Sequence, residues 1–300
     1  MATSLKAGLS AAGFRGELVA EAPIAPMTTW RIGGPAELLA TPADVEDVVL
    51  AVAWAGAHGV SWRVLGNGSN LLVTDAGVRG LVLRIRKALD TVAIAGTKIV
   101  AGAGASVPAV ANAAAQRGLA GIEFCAGIPG SVGGAIVMNA GWHEFEIGNV
   151  VTAVTYLEPG GEVVAHAHDA CRFAYRTSAF RGCTGVVLSA ELALRPDDPA
   201  AVRERLLRFA ESRKANQPTE LPSCGSVFLK PEGDFAGRLI EAAGLKGRRV
   251  GGVAVSDKHA NFFVNVGGGT AADALALVEL VESTVFEKFG VKLTREFEVW

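Results

Sequence analysis

Three short segments hold side chains that could take part in chemistry. Ser226 follows Cys224 in PSCGSVF, Arg176 follows Tyr175 in FAYRTSAF, and Glu296 lies near the end of the chain in LTREFEVW. The serine has no histidine near it in sequence to act as a base, and its surroundings differ from the G-x-S-x-G turn of hydrolases. An arginine fork suits a carboxylate or phosphate. Taken singly, the three also fit a turn hydroxyl, a surface ion pair and a solvated glutamate.

The remaining reactive side chains give weaker signals. Without a base in view, Cys224 is interpreted as a small buried apolar residue, and His143 and His259 as structural hydrogen-bonding histidines. The four cysteines form no C-x-x-C pair and only five histidines are present. We therefore predict that the protein has no metal site.

Two glycine-rich segments could hold phosphate groups. They are GNGSN at 66–70 and GIPGSVGG at 127–134, and RIGG at 31–34 adds a third, shorter one. Glycine lets main-chain N–H groups face an anion without a Cβ in the way. Neither long segment matches the Rossmann fingerprint or a P-loop, so each alone also fits a tight turn. Together the three segments favour a large phosphorylated cofactor.

Composition excludes several classes of partner. A net charge of −2 over 300 residues provides no general attraction to nucleic acid or to an anionic membrane. Residues 124–143 carry no charge and have the length of a membrane span, but their five glycines and one proline predict backbone that approaches a ligand. The first residues lack the apolar run of a signal peptide. We expect a cytoplasmic protein with reduced thiols, no nucleic acid partner and no membrane insertion.

The patterns of the chain predict the elements that must position these residues. Helices are expected after a cap at Thr41 with Pro42 at the first position, at 107–117, around 202–209, near 235–243, and from Ala271 after a cap at Thr270. Strands are expected at WRVL, GLVLRI, TVAIAG, KIVAGAGA, VVTAVTYLEP, EVVAHA, GVVLSAELAL, GGVAV, NFFVNV and the terminal VKLTREFEVW, with a polar loop at 214–224. The lack of a regular βαβ rhythm favours the α+β class.

An ordered set of motifs then resembles one family, the flavin-dependent UDP-N-acetylenolpyruvoylglucosamine reductases of bacterial cell-wall synthesis. The motifs are TTWRIGGPAE, VLGNGSNLLV, GIEFCAGIPGSVGGAIVMNAG, YRTSAF, PSCGSVF, AGRLIEAAGLKG, SDKHANFFVN and LTRE. The resemblance implies a two-subdomain FAD-binding domain of the PCMH or vanillyl-alcohol-oxidase-like type at 1–197, divided near 1–86 and 87–197. A smaller α+β substrate domain would occupy 198–290, and the strand at 291–300 could return to the first domain.

The same resemblance implies an activity. The enzyme would reduce the enolpyruvyl ether of a UDP-sugar, UDP-N-acetylenolpyruvoylglucosamine, to UDP-N-acetylmuramate for peptidoglycan synthesis, with non-covalent FAD and with NADPH as hydride donor. Arg176 and Glu296 would stabilise the negative charge that develops on the substrate. Glu296 can do so only if it is protonated or hydrogen-bonded. Ser226 would act as an acid that protonates the substrate carbon, which explains why it needs no histidine.

The resemblance also implies the binding residues. Those expected at the cofactor are Arg31, Gly33, Gly66, Asn67, Gly68, Ser69, Asn70, Gly127, Ile128, Pro129, Gly130, Ser131, Gly133 and Gly134. Those expected at the substrate are Tyr175, Arg213, Lys214 and Gln217. The interval between YRTSAF and PSCGSVF is short and has no tyrosine, so the chain resembles the shorter members that lack a tyrosine-bearing substrate loop.

Two other functions remain open at this stage. One is an FAD-dependent sugar or lactone oxidase with the same cofactor fold. Such enzymes often attach flavin through histidine or cysteine, whereas the matching positions here hold Trp30, Asn67 and Ser131. The other is a non-catalytic nucleotide-binding module, which would be colourless or would not need Ser226.

Overall fold

The computed structural model describes residues 2–300, and these form two compact units, each built from several parts of the chain. The first unit comprises residues 2–20, Glu37–Asn67 and Arg79–Ser212. The second comprises Glu21–Ala36, Gly68–Val78 and Arg213–Trp300. These units reflect packing, and their limits differ from 1–197 and 198–290. The functional division into a cofactor domain and a substrate domain stays a prediction.

The helices and strands alternate irregularly along the chain. The helices are α1 (Ala2–Ala11), α2 (Val45–Ala57), α3 (Val107–Gln116), α4 (Val132–Met138), α5 (Pro199–Asn216), α6 (Ala236–Ala242) and α7 (Ala271–Phe289). The strands are β1 (Glu17–Pro23), β2 (Pro35–Thr41), β3 (Trp62–Leu65), β4 (Leu71–Leu72), β5 (Val78–Arg84), β6 (Val92–Ala95), β7 (Lys98–Gly102), β8 (Leu119–Ala120), β9 (Gly141–Trp142), β10 (Phe145–Glu146), β11 (Val151–Leu157), β12 (Val163–Ala167), β13 (Val186–Ala193), β14 (Arg195–Pro196), β15 (Ser223–Ser226), β16 (Arg249–Val250), β17 (Val253–Val255), β18 (Phe262–Asn265) and β19 (Glu298–Val299).

The first unit is organised around an antiparallel sheet with the strand order β12-β11-β13-β7-β6. Its residues alternate in burial along β7 and β11, which is the pattern that predicted these strands. A second sheet has the order β1-β2-β5-β3, in which β3 and β5 are parallel. Helices α2 and α3 contribute buried valines and alanines to one hydrophobic core. The mixture of antiparallel and parallel pairs confirms the α+β class.

The second unit has its own core beneath an antiparallel sheet of order β15-β18-β17-β16. Helix α7 begins after Thr270, whose hydroxyl accepts a hydrogen bond from Asp273 N at 3.0 Å, as the cap pattern predicted. One face of α7 is fully buried, at Ala274, Leu277, Val278, Val281 and Val285. The same core includes Trp30, Ile32 and Leu72, so distant parts of the sequence complete it.

Three local predictions were wrong. The residue that caps α2 is Asp44, which accepts from Asp47 N at 3.1 Å, and the helix begins at Val45 rather than beside Thr41. The predicted loop at 214–224 contains the end of α5 and the start of β15. The predicted terminal strand is regular only at Glu298–Val299, where it runs parallel to β4. At the C-terminus a tertiary pairing outweighed the local pattern, whereas at α2 a neighbouring residue provided the cap.

The charge-free stretch at 124–143 does contain a helix, the seven-residue α4, which its glycines had argued against. Within the part of the chain that the structure describes, no helix combines the length and the apolar character needed to cross a membrane.

Candidate active site

Two of the glycine-rich segments meet in the first unit. A Cβ added at Gly66 would collide with the hydroxyl oxygen of Ser131. A larger residue at position 66 would therefore displace the Ser131 hydroxyl. Both segments are phosphate-binding candidates by sequence, and the structure brings Gly66 and Ser131 into contact.

Ser131 is buried and fixes the turn that precedes α4. Its hydroxyl accepts from Gly134 N at 3.4 Å, and its neighbour Gly130 accepts from Val107 N at 3.0 Å. Gly133 packs on the first unit's sheet, since a Cβ there would lie 3.1 Å from the Cβ of Ala103. One side of the 127–134 segment is thus held by the protein. Its other side is open, because Gly127, Pro129 and Gly134 are exposed while Ile128 is half-buried.

The third glycine segment lies in the second unit with the end of GNGSN. Gly68 has φ +59° and its carbonyl accepts from Thr29 N at 3.1 Å, which joins the two segments. Gly33 has φ +139°, and a Cβ there would lie 2.7 Å from the Cβ of Val73. Arg31 adopts φ +55°, a conformation uncommon outside glycine and asparagine.

Close packing against the protein explains glycine at one position or more in these segments. At Gly66, Gly68 and Gly33 the main chain approaches a neighbour too closely for a side chain. Tight glycine turns of this kind leave main-chain N–H groups free of Cβ shielding, which is what a pyrophosphate requires. The structure assigns no contact to Asn67 and Ser69, which remain predictions.

Arg176 occupies a tight turn in the first unit. Ala174 and Thr177 exchange two main-chain hydrogen bonds, of 3.1 and 3.0 Å, across Tyr175 and Arg176. Arg176 has φ +53° at the third position of this turn, where type II turns normally need glycine. A strained side-chain-bearing residue at such a position is typical of functional sites.

The Arg176 side chain is also directed by specific contacts. Its Nη2 donates to the carbonyl of Gly141 at 2.9 Å, and its Cζ lies 5.2 Å from the ring centre of the exposed Tyr175. Ser178, two residues on, is buried and donates to the carbonyl of Val137 in α4 at 2.9 Å. The YRTS motif is therefore attached to the helix that follows the glycine-rich segment.

Ser226 is positioned by a bulge in β15. Ser223 pairs with Val264, and Ser226 pairs with Phe262. Between these two pairs β15 contains one residue more than β18, which is the definition of a bulge. Gly225 takes up the bulge with φ +86°. This is the reason for glycine before the serine, since bulges of this type need a left-handed residue and redirect the side chain that follows.

The C-terminal segment runs beside Ser226 on the other side. Glu296 N donates to Val227 O at 2.8 Å, Leu229 N donates to Thr294 O at 2.8 Å, and Phe228 pairs with Arg295. The segment carrying Ser226 thus lies between β18 and the segment carrying Glu296. Two candidates separated by 70 positions in sequence are neighbours in the second unit.

The cofactor candidate Asn70 contacts this same segment. Its Nδ2 donates to Glu296 O at 3.2 Å, and its main-chain carbonyl accepts from Glu298 N at 3.0 Å. Through these two bonds Asn70 helps to hold the main chain of the segment that carries Glu296. Its contact with a cofactor stays a prediction.

Two further side chains near Ser226 have shifted pKa values. Burial, reinforced by the charge of Glu296, raises the pKa of the Cys224 thiol well above its ordinary value, so the thiol stays neutral. Burial lowers the pKa of His259, whose Nδ1 accepts from Asn261 N at 3.3 Å. Both agree with the structural interpretations made from sequence.

The predicted substrate residues fall into two groups. Arg213, Lys214 and Gln217 lie at the start of the second unit's C-terminal part, where Gln217 N donates to Arg213 O at 2.9 Å and Lys258 Nζ donates to Lys214 O at 2.6 Å. Tyr175 lies in the first unit. Arg176 likewise belongs to the first unit, and Ser226 and Glu296 belong to the second.

Sequence reasoning missed two asparagines that support the segments carrying the candidate residues. Asn261 donates to Phe228 O at 2.8 Å and accepts from Phe228 N at 3.0 Å, which extends the pairing of the segment that follows Ser226. Asn139 contacts the Arg176 turn. The two lie inside the motifs SDKHANFFVN and GAIVMNAG, and for Asn139 an asparagine in an otherwise apolar run was the available signal.

Comparison with known proteins agrees with this architecture. Residues 36–166 match the model of an FAD-binding domain, and residues 217–300 match the C-terminal domain of UDP-N-acetylenolpyruvoylglucosamine reductase. The reductase of Rubrobacter xylanophilus is 49% identical over 278 residues, which cover 92% of this chain and 93% of that protein. The reductase of Moorella thermoacetica is 44% identical over 294 residues, covering 98% and 97%.

A crystal structure supports the same relationship. The UDP-N-acetylenolpyruvylglucosamine reductase of Thermus caldophilus superposes with a TM-score of 0.82 and 36% identity, over 96% of this chain and 99% of that one. The two-part arrangement, with a PCMH-like FAD-binding fold and a separate C-terminal domain, confirms the predicted fold class. The chain therefore belongs to the UDP-N-acetylenolpyruvoylglucosamine reductases, flavoprotein oxidoreductases that use FAD and NADPH in peptidoglycan synthesis.

Proposed function

We propose that Arg176, Ser226 and Glu296 carry out the reduction of UDP-N-acetylenolpyruvoylglucosamine to UDP-N-acetylmuramate in this protein. The observation that carries the proposal is the pairing in the second unit: Glu296 N donates to Val227 O at 2.8 Å, directly beside Ser226. A hydroxyl and a carboxyl group on adjacent antiparallel segments can act on one substrate together.

FAD, when bound, would supply two electrons as a hydride to the terminal carbon of the substrate's enol ether, having received them from NADPH. The residues that would hold it are the glycine-rich segments at 31–34, 66–70 and 127–134. Their suitability rests on their glycines and on the open side of the 127–134 segment, where Gly127, Pro129 and Gly134 are exposed.

Arg176 would neutralise charge on the substrate. When hydride adds to the terminal carbon, a negative charge develops on the neighbouring carbon and spreads into the carboxylate attached to it. A guanidinium fixed by its bond to Gly141 O can pair with that carboxylate without reorganising. The left-handed backbone of Arg176 indicates that the fold maintains this orientation despite its cost.

Ser226 would supply the final proton. Its Oγ–H donates to the carbon that carries the negative charge, which forms the new C–H bond and completes the lactyl ether. A carbanion is basic enough to accept from a weakly acidic hydroxyl if the hydroxyl is well placed. The bulge at Gly225 supports this role, because it sets the direction of the Ser226 side chain. Glu296, protonated or hydrogen-bonded, would stabilise the charge from the adjacent segment.

The substrate would be a small molecule, a UDP-sugar enolpyruvyl ether. Tyr175, Arg213, Lys214 and Gln217 are the proposed contacts. We also propose that residues 1–197 act as the cofactor domain and 198–290 as the substrate domain, and that the enzyme works in the cytoplasm without a nucleic acid partner.

Visible absorbance tests the overall reaction. The purified FAD-loaded protein should bleach when NADPH is added without oxygen, and the colour should return when the enolpyruvyl nucleotide follows. Return of colour only with oxygen, together with oxygen consumption driven by a sugar, would instead indicate an oxidase. A protein that neither binds FAD nor bleaches would indicate a non-catalytic module.

A further inference from the structure

We infer that Asn139 is a positioning residue for the catalytic Arg176, acting through the turn that carries it. The inference rests on the proposed function in one respect, namely that Arg176 contacts the substrate. Asn139 lies 37 positions before Arg176 in sequence and is 1% exposed. It is not among the residues predicted to contact the cofactor or the substrate.

Three hydrogen bonds use almost all the capacity of the Asn139 amide. Its Nδ2 donates to the main-chain carbonyl of Ala174 at 3.0 Å and to Glu146 Oε2 at 2.7 Å. Its Oδ1 accepts from Gly148 N at 2.9 Å. Ala174 is the first residue of the Arg176 turn, so the Asn139 amide is bonded to the start of the turn.

The orientation of this amide is fixed by its partners. A carboxylate and a carbonyl can only accept, and a main-chain N–H can only donate. Nδ2 must therefore face Glu146 and Ala174, and Oδ1 must face Gly148. An aspartate at position 139 would fit the space but would point an oxygen at two acceptors.

The backbone at Asn139 contributes a second connection. Asn139 ends α4 in the left-handed conformation, with φ +44° and ψ +57°. Asparagine tolerates that conformation better than other residues with a side chain. The reversal leads the chain into Gly141, whose carbonyl accepts from Arg176 Nη2. The segment 139–141 therefore holds both the base of the turn and the guanidinium at its tip.

This arrangement explains how the strained turn persists. A residue with a side chain at positive φ persists only where its surroundings over-determine the conformation. Here the Asn139 amide, the Gly141 carbonyl and the Ser178 hydroxyl all tie residues 174–178 to α4 and the segment after it. Of the three, only Asn139 bonds a main-chain atom of the turn itself.

The test compares Asn139→Asp and Asn139→Ala with Asn112→Asp, an exposed asparagine on α3 in the same unit. In rapid-mixing experiments on the FAD-loaded enzyme, bleaching by NADPH should stay within about twofold of the wild type. Return of colour with the enolpyruvyl nucleotide should slow about 100-fold for the Asn139 variants, because misplacing a catalytic group by about 1 Å costs that much. Asn112→Asp should match the wild type in both steps.

Two further measurements separate positioning from general stability. Hydrogen exchange should accelerate at the amides of Ala174 and Thr177, which close the turn, and should stay unchanged in β11 and β13. In an Arg176→Ala background, the substitution at Asn139 should add less than a twofold further loss, because the group that it positions is gone. If Asn139→Asp does not fold, Asn139→Ala provides the same comparisons without a buried charge.

The outcomes distinguish this inference from the proposed function. Losses that multiply in the double variant, or exchange that accelerates throughout the first unit, would overturn the positioning role and leave Arg176 as proposed. An Arg176→Ala enzyme that reoxidises at the normal rate would refute the role of Arg176 itself. A normal rate of reoxidation in both Asn139 variants would refute the inference alone.

Discussion

The Arg176 turn in the first unit and the Ser226 strand in the second hold their proposed catalytic side chains by opposite means. Arg176 sits in a left-handed conformation that side-chain bonds from Asn139 and Ser178 secure. Ser226 lies in a sheet, with main-chain partners on both sides and a glycine at the strained position. A side chain that must be strained needs neighbours to enforce it, whereas a strain placed on glycine costs little.

The contrast has a functional logic. In the proposed mechanism the guanidinium must point in one direction, and the left-handed conformation falls on Arg176 itself. The proposed proton donor, Ser226, has the left-handed conformation one residue away, at Gly225. Substitutions should therefore affect the two regions differently.

The largest effect expected from a substitution in the Arg176 turn is on turnover. Arg176→Ala should slow reoxidation by the enolpyruvyl nucleotide about 10³-fold, roughly 4 kcal/mol, because removing one preorganised group that stabilises developing charge has that cost. Bleaching by NADPH should be preserved. Arg172→Ala, also at positive φ but four residues earlier, is the matched control. Equal losses in the two variants would contradict a specific role for the Arg176 guanidinium.

The next effect is on the stability of the second region. Asn261→Ala removes two bonds to the main chain of Phe228 and leaves a buried N–H and C=O unpaired. The free energy of unfolding should fall by about 2–3 kcal/mol. Denaturant melts measure it, with the exposed Asn112→Ala as control. A change below about 0.5 kcal/mol would mean that main-chain pairing alone holds the segment after Ser226.

A smaller effect should reveal the strain at Arg176. Arg176→Gly and Arg176→Ala both remove the guanidinium, but glycine adopts φ +53° without a Cβ penalty. The glycine variant should be more stable than the alanine variant by about 1 kcal/mol. Denaturant melts of the two proteins give the difference directly. Equal stabilities would mean that the turn relaxes once the side chain is lost.

The smallest effect depends on pH. Because burial raises the pKa of Cys224, its thiol stays neutral in the folded protein while the unfolded thiol ionises near pH 8.5. The contribution of the neutral Cys224 thiol to the free energy of unfolding is fully present below about pH 8.5 and is lost as the pH rises above it. From pH 7 to pH 9 the wild type should lose about 0.8 kcal/mol more than Cys224→Ala. Parallel curves for the two proteins would place the thiol in a more hydrated setting.

Periodicity predicted the long elements well and the short ones poorly. In α7, β11 and β13 the spacing of the apolar residues follows which side of the element is buried. The terminal segment had an equally clear alternation, yet only Glu298–Val299 is regular, since Glu296 and Thr294 pair instead with the segment that contains Ser226. Local pattern cannot reveal which distant segment will be the partner.

The candidate site shows the same limit. The motifs singled out the glycine segments and PSCGSVF, whose roles stay predictions, and the structure supplies the reason for Gly225. The supporting roles of Asn139 and Asn261 depend on hydrogen bonds across 35 and 33 positions, which no spacing rule describes. A buried asparagine is recognised as functional only when its partners are visible.

Reoxidation of the reduced Ser226→Ala enzyme by the enolpyruvyl nucleotide is the decisive test of the role of Ser226. Ser223→Ala, in the same strand before the bulge, is the control. We expect normal bleaching by NADPH in both variants and a slowing of about 10⁴-fold in reoxidation for Ser226→Ala alone. Reoxidation of Ser226→Ala at the rate of the control would contradict that role, because the proton would then come from another group.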